Sequence, residues 1–229
     1  MDITVVIPTL NEEKYIRRCI ESLRNQTRKC QIIVVDSGSD DKTRIIAARH
    51  ADLVLRGQRN IAYNRQIGAE NAYGSIVVTT DADCFHPADW LENLCGHFDD
   101  SDVVCVSGPT MPIPEEGNVL DRFCYESTNY LLKVLNDVFK KALFRGSNTA
   151  YRKDAFFRAG GYNTRLRSRE DSDITMRISK IGKTVFDMDA LVYTSMRRRK
   201  KLGWLKTIRY YLDTPISMIT GKQYYEEAR

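Results

Sequence analysis

The chain has no glycine-rich phosphate loop. Neither Gly-x-Gly-x-x-Gly nor a Walker-type lysine loop follows its first apolar run, so any bound phosphate must find counter-charge in a metal ion or in basic side chains. The same gap near residues 8–15 argues against a nucleotidyltransferase that makes sugar nucleotides. No apolar run approaches the roughly 18 residues that cross a membrane. The strand-like start Met1-Asp2-Ile3-Thr4-Val5 leaves no room for a signal peptide, and a cytoplasmic site is the expectation. Cys19, Cys30, Cys84, Cys95, Cys105 and Cys124 form no Cys-x-x-Cys pair and lie mostly among apolar residues. They read as reduced thiols in or near the core, not as disulfides or a zinc site. Histidine is scarce, with three residues at 50, 86 and 97. No internal repeat or low-complexity segment appears.

The 229 residues suffice for one large α/β domain, or one domain and a short appendage. Net charge is +5, but residues 195–229 hold nine Lys and Arg against three Asp and Glu, which leaves the first 194 residues at −1. The basicity belongs to the tail. It points to a local anionic partner there and away from a nucleic-acid-binding protein.

Apolar runs and amphipathic stretches alternate through the first half. Ile3 to Ile7, Ile32 to Val35, Leu53 to Leu55, Ser75 to Thr80 and Val103 to Val106 read as strands. Helical patterns follow Tyr15, Asp40 or Asp41, Asn60 and Pro87, with Asp40 or Asp41 as an N-cap. Buried-type strands alternating with helices predict a parallel sheet covered on both faces. Beyond a proline-rich connector at residues 109–114, a long helix is expected from Asn118 to Phe139, a strand from Ser147 to Tyr151, a tight turn at Gly160-Gly161, and an amphipathic helix from Glu170 to Ile181.

The chain is organised around Ser75-Ile76-Val77-Val78-Thr79-Thr80-Asp81-Ala82-Asp83-Cys84. Its apolar run leads straight into two carboxylates spaced two apart, which in an extended segment face one side. In open α/β sheets, ligands lie beyond the carboxyl ends of the strands. Two carboxylates there suit a hard divalent cation that keeps positions open for phosphate oxygens. The alternative is a loop whose aspartates cap the next helix. Glu170-Asp171 likewise reads either as functional acids or as charges favoured by a helix N-terminus.

Several landmarks, in order, resemble the family 2 glycosyltransferases. These are Val5-Val6-Ile7-Pro8-Thr9-Leu10-Asn11-Glu12, Val34-Val35-Asp36-Ser37-Gly38-Ser39-Asp40-Asp41, Arg65-Gln66-Ile67-Gly68, Asp81-Ala82-Asp83, and Gly160-Gly161-Tyr162 followed by Glu170-Asp171. The likeness spans about residues 3–195. It implies an α/β fold of the Rossmann-like glycosyltransferase-A type with a mostly parallel central sheet. The catalytic domain would cover residues 1–195, with a nucleotide-binding half at 1–108 and an acceptor-side half at 109–195. A short basic, partly helical tail would fill 196–229. The implied activity is metal-dependent, inverting sugar transfer from a nucleotide-sugar donor, with Mg or Mn as cofactor. Uracil is the expected base, with guanine and thymine left open, and the acceptor would be a glycan hydroxyl or a lipid-linked phosphate.

Carried over by position, Pro8, Thr9, Asn11 and Glu12 would line the nucleotide pocket, Asp36 would meet the base, and Arg65 would hold the nucleotide. Asp81 would lie near ribose and metal, Asp83 would bind the ion, and Asp171, beside Glu170, would be the catalytic base. Gln66 stands where the family has Asn. The histidine many relatives place late in the domain is missing, which leaves Tyr193, Arg197 or Arg198 for the diphosphate or the third metal contact. The run Arg197-Arg198-Arg199-Lys200-Lys201 with Trp204, Leu205, Tyr210 and Tyr211 suits an anionic membrane face along 196–220. A basic loop followed by a packed helix is the alternative. A nucleotide-sugar-binding regulatory or scaffold subunit without transfer activity is the competing functional reading.

Overall fold

The computed structural model describes residues 2–202. The chain divides into two compact units, Met1–Thr194 and Ser195–Arg229. In the first unit, strand β1 (Ile3–Thr9) pairs in parallel with β2 (Gln31–Asp36) on one side and β4 (Ile76–Thr79) on the other. β3 (Leu53–Arg56) continues beyond β2. Past β4 come β8 (Thr149–Arg152), β6 (Val103–Ser107) and β9 (Lys183–Phe186), so the order is β3-β2-β1-β4-β8-β6-β9. The strand that ends in Asp-x-Asp is therefore the middle one of seven.

Alternate strand residues face opposite helical layers, as the period of two requires. Val5, Ile7, Ile32 and Val34 pack with α1 (Ile16–Arg24), α2 (Thr43–His50) and α4 (Trp90–Gly96) through Ile16, Ile20, Leu23, Ala47, Trp90 and Leu94. On the other face, Val6, Ile33, Val35 and Val77 meet α3 (Ile61–Glu70), α6 (Lys153–Arg158) and α7 (Glu170–Ile178) through Ala62, Ala69, Phe156, Ile174 and Ile178. α3 lies so close to β1 that a Cβ at Gly68 would overlap Val6.

The sheet is mostly parallel, as the sequence implies, with one reversed strand: β8 runs antiparallel to both β4 and β6. The residues preceding β8, and not those following it, therefore reach the edge where β1, β2 and β4 end. That reversal brings Arg145, Gly146 and Ser147 to the crevice.

Element limits shift by a few residues. α2 starts at Thr43, with Asp41 Oδ1 accepting the Thr43 N–H (2.9 Å), and α4 starts at Trp90, whose N–H bonds the Pro87 carbonyl (3.1 Å). The long helix, α5, spans Val119–Asp137 and opens with a reciprocal cap between Asn118 and Asp121. α7 stops at Ile178. A three-stranded sheet joins β5 (Cys84–Phe85), β10 (Val192–Thr194) and β7 (Thr110–Pro112). All six cysteines are free thiols, four of them buried. In the second unit, α8 covers Arg197–Leu202. Trp204, Leu205, Tyr210 and Tyr211 lie outside the described residues, as does the Arg198 side chain.

Candidate active site

The crevice at the carboxyl ends of β1, β2 and β4 is built from three loops and two helix starts. The loops after β1 and β2 lock together. Asn11 takes the left-handed conformation (φ 55°), donates its N–H to Ser39 Oγ (2.9 Å), and accepts from Asp40 N with Oδ1 (2.9 Å). Asn is one of the few side chains that adopt this backbone readily. Glu12, mostly buried, donates its N–H to Thr43 Oγ1 (2.7 Å). Register pairs Thr9 with Asp36, and the Thr9 hydroxyl reaches Asp36 Oδ1 (3.3 Å). Asp36 also accepts from Ser39 Oγ (2.5 Å) and from the Gly38 and Ser39 N–H groups (3.3 and 3.1 Å). It is buried, and both its oxygens shape the turn. Pro8, one residue before the end of β1, pairs with Val35.

The centre of the site is a buried chain of charge. Arg65 on α3 donates through Nη2 to Asp81 Oδ1 (2.8 Å) and through Nη1 to Glu170 Oε1 (2.8 Å). Arg65 and Glu170 are almost wholly enclosed, while the Asp81 side chain is 38% exposed. Although burial pulls the other way, the carboxylates of Asp81 and Glu170 hold the Arg65 guanidinium firmly protonated. Losing one partner of such a pair would strand a buried charge. This placement separates Glu170 from Asp171 in role. Glu170, expected as half of a catalytic pair, anchors Arg65 and is shut away from the crevice. Asp171 is half-buried and accepts from Gly146 N with Oδ2 (2.9 Å) and from Ser172 N with Oδ1 (2.8 Å).

Gly146 and Gln66, the latter marked in the sequence only as a departure from the family motif, also shape the site. A Cβ at Gly146 would overlap the Arg65 guanidinium. Gln66 Oε1 accepts the Tyr162 N–H (2.8 Å) and fastens the Gly160-Gly161-Tyr162 turn to α3. Gly161 is at φ +61° and has no room for a side chain against Gln66. Neighbouring residues on α3 thus hold the start of α7 and the Gly160-Gly161-Tyr162 turn. The sequence cue for Gly146 is a glycine just before a strand.

Asp83 is half-buried and precedes β5 directly. β10 pairs with β5 so that Tyr193 lies opposite Phe85, with ring centroids 6.4 Å apart. Tyr193 therefore stands beside the Asp-x-Asp loop. Arg197 belongs to the second unit, where its N–H bonds Ser195 Oγ (3.2 Å). His86, three residues past Asp83, is fully enclosed against Trp90 and bonded to Ser22 Oγ and Thr80 Oγ1 (2.9 and 2.8 Å). Burial pulls its pKa down to about 3, so it is a neutral core residue.

Among the described residues, no group of three or more His, Cys, Asp and Glu forms a cage for a metal ion. Two carboxylates at a crevice mouth, one oxygen already given to Arg65, fit Mg²⁺ or Mn²⁺, which take one or two carboxylates and complete their shell with water and phosphate oxygens. They do not fit zinc, whose sites use three or four nitrogen or sulfur ligands.

The sequence profile of glycosyl transferase family 2 matches residues 4–158. The chain belongs to that family. Glycosyltransferase AglE of Haloferax volcanii is 28% identical over 192 residues, covering 79% of this chain and 62% of its own length. The glucosyl-dolichyl phosphate glucuronosyltransferase of the same organism is 23% identical, covering 90% and 73%. This family 2 chain also resembles S. aureus TarS with UDP-GlcNAc (TM-score 0.68, 20% identity, 85% of this chain and 58% of that one). The mannosyltransferase PcManGT of Pyrobaculum calidifontis, with GDP-Man and Mn²⁺, gives a TM-score of 0.67 at 26% identity over 85% and 56%. The fold is the mostly parallel α/β sheet of the glycosyltransferase-A type. The chain spans about three fifths of the length of AglE and TarS.

Proposed function

We propose that this family 2 glycosyltransferase is metal-dependent and inverting, moving a sugar from a nucleoside diphosphate, UDP in our reading, to a hydroxyl or lipid-phosphate acceptor. The observation that carries the reading is the Asp81–Arg65–Glu170 chain. It spends Glu170 and one Asp81 oxygen on a buried cation, and so fixes the strand end from which Asp83 projects and the helix start that bears Asp171. A bound Mg²⁺ or Mn²⁺ would neutralise charge on the departing diphosphate. Asp83 would hold it, with the second oxygen of Asp81 and Tyr193 as candidate further contacts.

The residues Pro8, Thr9, Asn11, Glu12 and Asp36 would wall the nucleotide. Asp171 would accept the proton of the attacking acceptor hydroxyl as the new bond to the anomeric carbon forms and the nucleoside diphosphate leaves. Backbone N–H bonds from Gly146 and Ser172 orient that carboxylate. A phosphate acceptor would arrive ionised and need no such base. A relative named for a glucosyl-dolichyl phosphate supports a lipid-linked acceptor. The five cations at 197–201 support peripheral attachment to a cytoplasmic membrane face through 196–220.

A thermal-shift screen of UDP-, GDP- and TDP-sugars with and without Mn²⁺ tests the reading, because a ligand of the folded state raises apparent stability. The expected result is the largest shift with one UDP-sugar plus Mn²⁺. No shift with any nucleotide sugar would overturn it, and a larger shift with GDP- or TDP-sugar would overturn the choice of base.

A further inference from the structure

Helix α5 is amphipathic in the opposite sense to the rest of the fold. Its fully buried positions are polar, with Leu132 packed against the core beside them. Asn129 donates to the Thr110 carbonyl (2.9 Å) and accepts the Thr110 N–H (3.3 Å). Two turns later, Asn136 donates to the Thr184 carbonyl (3.2 Å) and accepts its hydroxyl (2.6 Å). Asp121, Asn129 and Asn136 are buried. The outward side carries Val119, Leu120, Phe123, Tyr130 and Leu131, and Val138 follows at the C-cap, each more than half exposed.

At 3.6 residues per turn these side chains fall within one arc of about 120°, with Ser127 inside it and Asp137 at its edge. With aromatic side chains at roughly 150–250 Å² each, the face offers on the order of 800 Å², about what one partner gives to a standard protein interface. Contiguous apolar patches of this size mark interaction sites.

One rim of the stripe is charged, with Arg122, Glu126, Lys133 and Asp137 alternating in sign at spacings of four, seven and four. That pattern is its own complement when reversed. Laid antiparallel on a copy of itself, it sets Arg122 against Asp137 and Glu126 against Lys133, about a midpoint between Asn129 and Tyr130. A two-fold axis there brings the same rim of both helices together, as an isologous interface requires. The Lys133–Asp137 pair within one helix (2.8 Å) would join this network. A lipid surface fits less well, because interfacial helices flank their apolar stripe with cations, and two of these four charges are acidic.

We propose that α5 is a homodimer interface, packing antiparallel against α5 of a second copy across a two-fold axis at its middle. Sedimentation of the full chain at micromolar concentration tests this. The expected mass is twice 26.4 kDa, and Phe123→Glu or Leu131→Glu should return it to the single-chain value. Arg122→Glu should raise the dimer dissociation constant at least tenfold, and adding Asp137→Arg should restore it. The two positions are about 22 Å apart along one helix at 1.5 Å per residue, so rescue has to occur between chains.

A full chain that stays monomeric at tens of micromolar overturns the proposal. So does a dimer indifferent to Phe123→Glu, or a double charge variant no better than the single one. Binding of a monomer to anionic vesicles that depends on Phe123 would assign the face to lipid instead. Covering of the face in a monomer by residues 203–229 would assign it to the chain's own end.

Discussion

Gly146 lies against the guanidinium of Arg65, with no space between them for a Cβ. The same residue's N–H holds Asp171 (2.9 Å). One backbone position thus sets the location of the buried cation and of the carboxylate assigned as the base. Gly146→Ala should displace Arg65 from Asp81 and Glu170. An extra methyl in a packed site costs about 1–3 kcal/mol, a loss readable in denaturant melts. Transfer should fall far more than that loss of stability explains, and a variant with wild-type turnover would show that Arg65 need not hold its position.

Glu170 and Asp171 are neighbours in sequence with different tasks. Glu170→Ala removes one carboxylate from an enclosed guanidinium, and breaking a buried pair this way costs about 3–5 kcal/mol. Glu170→Gln keeps a hydrogen-bond acceptor and should lose less. Urea melts of the two variants check the order. Equal, small losses would mean that Arg65 gains little from Glu170.

The strand periods, the carboxylates at the end of the central strand and the residues of the Arg65 helix were legible in the sequence, because each depends on local pattern. Ile76 to Thr79 shows its burial in its own composition. The reversed β8 was not legible, since the direction of a short apolar strand is decided by its partners. The role of Gly146 followed that reversal out of view. Glu170 is an acid enclosed with Arg65, a neighbour distant in sequence, and Asp36 is turned onto its own Gly38-Ser39 turn and Thr9. A chain position cannot show whether such a carboxylate faces ligand or scaffold. α5 was legible as a helix, but its polar buried positions depend on Thr110 and Thr184, which pattern does not place.

Asp83→Ala should leave the fold intact, because the side chain is only half-buried at the crevice mouth. Mn²⁺-dependent binding of a nucleoside diphosphate should disappear. Calorimetric titration of UDP with and without Mn²⁺ reads this directly. Unchanged Mn²⁺ dependence would place the ion elsewhere.

Asp171→Asn keeps an oxygen for the Gly146 N–H but none for the Ser172 N–H, so stability should fall by only about 1 kcal/mol while nucleotide affinity holds. Turnover onto a hydroxyl acceptor should fall by roughly 10²–10⁴-fold, the usual share of a general base. Unchanged turnover would leave Asp171 as a fold residue, or point to an acceptor that arrives as a phosphate.

His86 makes stability depend on pH. In the folded chain its imidazole is enclosed by Ser22, Thr80 and Trp90, and burial lowers its pKa from 6.5 to about 3. In the unfolded chain it takes up a proton near 6.5. Between those values the unfolded state binds more protons, so the contribution is full above pH 6.5 and is lost as pH falls toward 3. Each unit of that fall removes at most about 1.4 kcal/mol. Melting temperature should decline from pH 6.5 to 4.5, and more steeply than in His86→Gln, which has no proton to gain. The comparison of slopes is what counts, since His86→Gln also disturbs two buried hydroxyls and lowers stability at every pH. Parallel slopes for the two proteins would mean that the enclosed imidazole titrates in the folded state much as it does in the unfolded one.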